Sequence, residues 1–145
     1  MPEHATTPAQ DAARVALGAA LAASGVSHLT VGRDAFKGQV PAWLPLDPEI
    51  VVLQSGIVEI ALGAALVLLP RQKALIGRIA AAFFVAVFPG NIAQFCRRSN
   101  AFGLDTDSKR LARLLFQPAF IAWALWSTGA GAQRRPATDP SQIKR

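Results

Sequence analysis

Cysteine occurs once, at Cys96. No intrachain disulfide and no CxxC pair can form, which excludes a self-contained dithiol enzyme. Charge is also scarce: 17% of residues are Asp, Glu, Lys or Arg, against about 25% in soluble domains. The acidic residues number nine against fifteen basic ones, a net charge of +6. The basic residues fall in short clusters between apolar runs, as membrane flanks do, and form no continuous stripe for a phosphate backbone. A nucleic-acid partner is therefore not expected. No haem, flavin or cluster motif is visible, and no cofactor is identifiable. What the chain has in excess is apolar residues, 52% of the total.

Those residues concentrate in four runs of about twenty residues, the length needed to cross a hydrocarbon core of roughly 30 Å. The expected spans are 12–31, 50–69, 75–95 and 111–130. Backbone groups in a bilayer must be satisfied within their own segment, so the runs read as helices. The expected fold is an all-α integral membrane protein, a four-transmembrane-helix, up-down antiparallel bundle over residues 12–130. Residues 1–11 and 131–145 read as disordered tails, the second of them basic. A signal peptide needs a positive start, but no Lys or Arg precedes Arg14 while Glu3 and Asp11 are acidic. The first run is thus expected to be a span.

Pro41, Pro45 and Pro48 rule out a regular helix between the first two spans, and Trp43 suits an interfacial anchor. Trp123 and Trp126 read as members of an aromatic belt. The short link RQKA at 71–74 should close a hairpin between the second and third spans. Pro89 should kink the third span, since it cannot donate to the Val85 carbonyl. Asp105-x-Asp107 lacks the later ligands of a calcium loop. It reads as a solvated turn, with Asp107 or Ser108 capping the fourth span.

The span Ile50–Leu69 is apolar except for Gln54, Ser55 and Glu59. A carboxylate at bilayer depth costs about 2.5–3.5 kcal/mol on insertion scales, so it needs a partner and points to function. Because the spans alternate in direction, groups late in spans 1 and 3 share a level with groups early in spans 2 and 4. At 1.5 Å per residue, His28, Gln54, Asn91, Arg113 and Gln117 fall within about 3–10 Å of one membrane face, and Glu59 lies roughly 13 Å deep. These six residues form the candidate binding pocket, with Arg113 as the expected partner of Glu59. No catalytic and no metal-binding residue is assigned. Ser55, Gly56, Glu59 and Gly63 share one stripe of small residues, the side on which helices approach. Positive charges number eight on the side of the termini and seven on the other, or five if Arg110 and Arg113 face inward. The balance points to cytoplasmic termini.

Several pieces occur in order: G-x-x-H at Gly25–His28, Phe36, V-P-x-W-L-P at Val40–Pro45, S-G-x-x-E-x-x-x-G at Ser55–Gly63, F-P-x-N at Phe88–Asn91, and R-L-x-x-Q at Arg113–Gln117 followed by Trp123. Together they resemble the DoxX-like family of small four-helix bacterial membrane proteins. Named members of that family include the small subunit of an archaeal thiosulfate:quinone oxidoreductase, and others are linked to redox or sulfur-stress complexes. The resemblance implies a multi-pass protein of the bacterial inner membrane. It would act as a non-catalytic subunit or binding module, associated with a quinone-linked redox or sulfur-stress complex. Expected partners are the lipid bilayer, a membrane or peripheral redox protein, and a second copy of the chain; quinone or lipid would be the ligand. The paired-cysteine chemistry of one subgroup does not carry over to a chain with Cys96 alone. The alternatives are a small proton-coupled transporter, in which Glu59 would titrate, and a purely structural membrane anchor.

Overall fold

The structure is a computed structural model and describes residues 5–131. Residues 1–4 and 132–145, which hold part of the first expected tail and nearly all of the second, lie outside the described residues. Among the described residues every regular element is helical: α1 (Pro8–Leu29), the short α2 (Arg33–Lys37), α3 (Pro48–Leu68), α4 (Lys73–Cys96) and α5 (Asp107–Ser127). Single 3₁₀ turns at Pro70–Gln72 and Ala101–Gly103 join α3 to α4 and α4 to α5. The stretches Pro8–Leu29, Pro48–Leu68 and Pro70–Cys96 are long and apolar enough to cross a membrane. Helix α5 is as long as α3, but its first two turns carry Asp107, Lys109, Arg110 and Arg113.

The helix starts follow local chemistry. Helix α1 begins four residues before its expected start, inside the segment read as a tail. Thr7 and Gln10 form a reciprocal capping box (Gln10 N to Thr7 Oγ1, 3.2 Å; Thr7 N to Gln10 Oε1, 2.9 Å). Pro8 occupies the first helical position, where its missing N–H is harmless. Asp47 caps α3 through the Glu49 N–H at 2.8 Å, followed by Pro48 in the same favourable place. The cap of α5 is Thr106, bonded to the Lys109 N–H, and not Asp107 or Ser108.

The helices pack in two tight pairs, α1 on α3 and α4 on α5, and the pairs meet mainly where α1 touches α5. Helices α3 and α4 are joined by the shortest link, yet they touch far less than either does its main partner. The hairpin expected there is thus a turn between two pairs. Between α1 and α3, Gly25 faces Gly56 and Gly18 faces Gly63; a methyl group added at Gly25 would fall 2.5 Å from the Gly56 carbonyl oxygen. Only glycine allows this approach, and the opposed order of the pairs makes α1 and α3 antiparallel. A core of Leu17, Leu21, Leu62, Leu66, Ile76, Ala80, Ala81, Phe84 and Ala124 fills one half of the molecule. There the Arg14 guanidinium donates to the Leu66 carbonyl, and the Trp123 indole N–H donates to the Ala13 carbonyl at 2.9 Å. Trp123 therefore ties α5 to α1, whereas Trp126 is exposed. The other half of the molecule is not solidly filled.

Candidate functional site: a polar cavity beneath the Val40–Leu44 loop

The unfilled half contains a cavity of about 320 Å³. Its walls come from late α1, early α3, late α4 and early α5, and its roof from Phe36 and the loop Gln39–Leu44. Two contacts anchor the roof to α4. The Arg97 Nη2 donates to the Val40 carbonyl at 2.6 Å, and Gln39 Nε2 donates to Gln94 Oε1 at 3.0 Å. Gly90 lets the Gln39 backbone come down on α4, since a methyl there would lie 3.0 Å from the Gln39 carbonyl oxygen. At the far end of the loop, Lys37 and Arg33 both reach the Glu49 carboxylate, at 3.2 and 3.5 Å. Val40 is buried while Trp43 remains exposed at the rim.

Five of the six expected pocket residues line this cavity: His28, Glu59, Asn91, Arg113 and Gln117. Gln54 does not; it is exposed on the outer face of α3. Five residues of helix turn through about 500°, so Gln54 stands about 140° away from Glu59 despite its favourable depth. Its neighbour Ser55, one turn before Glu59, lines the cavity instead.

Glu59 is 8% exposed. Its Oε2 lies 3.2 Å from His28 Nδ1. That nitrogen also lies 2.9 Å from the Ser24 carbonyl oxygen one turn back. A carbonyl can only accept, so Nδ1 must carry the proton and directs it at Ser24. Glu59 Oε2 is consequently buried with no hydrogen-bond partner among the described residues. The His28 ring is held by Phe36, stacked on it at 3.4 Å between centroids and 19° between planes. Arg113, expected to pair with Glu59, shares the cavity wall but comes within 4.0 Å of no carboxylate among the described residues. The nearest cation-capable group is His28, because α3 packs on α1 and not on α5.

Asn91 and Gln117 form a separate, satisfied unit. Asn91 Nδ2 donates to Gln117 Oε1 at 2.8 Å, and Gln117 Nε2 donates to the Phe84 carbonyl at 2.5 Å. The remaining walls are apolar, with Leu21, Val52, Phe84, Val87 and Phe120 prominent. The sequence reading missed Gln39 and Gln94, because nothing local reveals that a loop amide will meet a buried one on α4. Among the described residues no group of three His, Cys, Asp or Glu could hold a metal ion. Asp105 and Asp107 are instead engaged by Lys109 and Arg110, each at 2.7 Å.

Fold and site together define an α-helical protein with membrane-length apolar helices around a partly polar cavity. A family model described as a domain of unknown function (DUF8561) matches residues 17–128, and the chain belongs to that family. The matched region contains every residue that lines the cavity. No curated protein and no solved structure matches the chain.

Proposed function

We propose that this chain is a four-span integral membrane protein whose cavity binds a small amphipathic molecule, and that it serves as a non-catalytic subunit or binding module. In this reading α5 is the fourth span, antiparallel to α4. Its charged first turns lie at the membrane surface, where Arg110 is held by Asp107, Asn100 and Ser99. The setting is the bacterial inner membrane with cytoplasmic termini, and the DoxX-like resemblance adds association with a quinone-linked redox or sulfur-stress complex.

One observation carries the binding function: the Glu59 carboxylate lines a largely apolar cavity of about 320 Å³, and its Oε2 is buried without a partner among the described residues. That volume is within the range of small-molecule sites, about 300–1,000 Å³. A buried acceptor left empty costs about 1–3 kcal/mol, more when charged.

The test is native mass spectrometry of protein taken from its own membrane into lipid nanodiscs. The expected result is a retained molecule of amphiphile mass that is lost on Glu59→Gln, with helix content unchanged. A ligand-free spectrum for the parent protein in mild conditions, repeated in several lipids, would refute the binding module.

A further inference from the structure

We infer that the cavity selects a neutral, hydroxyl-headed amphiphile, an alcohol or phenol whose O–H donates to the Glu59 carboxylate while its oxygen accepts from Arg113; this rests on the binding function proposed above.

The first step concerns charge. The charged side chains lining the cavity are Glu59 and Arg113. One is negative and one positive, so the wall is balanced before anything enters. A cationic head would be repelled by Arg113 and an anionic one by Glu59. In an apolar enclosure such a charge would have no further group to neutralise it.

The second step concerns direction. The Glu59 carboxylate lines the cavity and can only accept, and the nearby His28 Nδ1–H is directed at Ser24. Arg113 is the reverse, a donor set with no ion pair among the described residues. An incoming head must therefore donate to one side and accept from the other. A hydroxyl does both at a single oxygen. An ether, ester or ketone head can only accept, and it would set its lone pairs against those of the carboxylate. The rest of the ligand meets Phe84, Val87, Phe120 and Leu44, all apolar.

The experiment uses the full-length protein in nanodiscs and competition native mass spectrometry with two probes of equal length, para-octylphenol and its methyl ether, para-octylanisole. A hydrogen bond to a charged acceptor predicts that the phenol is retained about tenfold or more over the ether. Glu59→Gln should reduce the preference to less than about threefold, since a neutral amide accepts more weakly. Equal retention of the two probes by the parent protein would overturn the head-group selectivity and leave the binding module standing. Retention of neither would overturn both. Two further probes separate natural sources of a hydroxyl head, a short-chain diacylglycerol for a membrane lipid and an alkylhydroquinone for a redox carrier. Displacement of the phenol by one names the source, and displacement by neither overturns the assignment.

Discussion

Gly25→Ala should loosen the α1–α3 pair and, with it, the Glu59 site. The added methyl would fall 2.5 Å from the Gly56 carbonyl oxygen, 2.7 Å from Ile60 Cγ1 and 2.9 Å from the Ile60 nitrogen. Two of these three atoms are helix backbone and cannot swing aside. Restoring ordinary contact at 3.4 Å from the Gly56 oxygen requires the helices to part by about 0.9 Å. Overpacking of this kind costs about 1–3 kcal/mol. Alanine recovers up to about 1 kcal/mol through helix propensity, leaving a net loss of about 1–2 kcal/mol. His28 lies on the same face of α1, one turn onward, so the parting also moves it from Glu59, 3.2 Å away in the parent. Equilibrium unfolding by dodecyl sulfate in mixed micelles, read by circular dichroism, gives the stability. Gly131→Ala is the control, since its methyl would meet nothing closer than Leu125 Cβ at 3.6 Å. If Gly25→Ala is as stable as the parent and indistinguishable from that control, the close α1–α3 crossing is wrong.

Asn91→Leu should cost about 1–3 kcal/mol by leaving Gln117 Oε1 buried and unpaired. A double-mutant cycle with Gln117→Leu should show coupling of about 1 kcal/mol in the same assay, and additivity would show that the amides do not act together. Arg97→Ala removes the 2.6 Å bond to the Val40 carbonyl, so hydrogen exchange across Val40–Leu44 should accelerate about tenfold; unchanged protection would place the loop's anchorage elsewhere. The Lys109 hydrogen bond holds the Asp105 carboxyl below its usual 3.8. A depressed carboxylate pKa stabilises the fold above the unfolded value and loses that contribution as pH falls through the folded value. Protection factors, corrected for intrinsic exchange, should thus fall in the Ser99–Thr106 connection below pH 3.8 and stay flat from about pH 5 to 8, and Asp105→Asn should abolish the acid dependence.

The membrane-length helices α1, α3 and α4 were legible because length and apolar content are local properties. The depth argument likewise placed His28, Asn91, Arg113 and Gln117 near one face with Glu59 deeper in the same half, and all five line the cavity, since axial rise is common to every helix. It failed at Gln54, where depth was satisfied and rotation was not. It did not anticipate that His28 would be the side chain within 4.0 Å of Glu59. Rise along an axis cannot tell which helices pair, and the choice of α1 as the partner of α3 is made by glycines on both helices meeting across the interface. The start of α1 was misread because two prolines and a polar composition looked like a tail. Yet Thr7-Pro8-Ala9-Gln10 contains both parts of a capping box. Trp123 shows the same limit, since a belt tryptophan and one bonded to a neighbouring helix have identical local sequence.

Arg110 and Glu59 are both buried ions at the same end of the molecule, and the contrast between them separates structure from site. Arg110 is 5% exposed, and all three of its nitrogens donate, to Ser99, Asn100 and Asp107. Every one of these partners lies within eleven residues along the chain, so the guanidinium closes the α4–α5 connection and needs nothing from outside. Glu59 has the opposite arrangement. Its possible donors sit on other helices, and the nearest is turned away by a backbone carbonyl. An ion satisfied by its own loop contributes to the fold and is indifferent to ligand. An ion kept buried and unsatisfied raises the free energy of the empty protein, and a molecule that donates to it recovers that energy on entry. If the proposed ligand donates to the carboxylate, the cost of that unmade hydrogen bond contributes to its affinity.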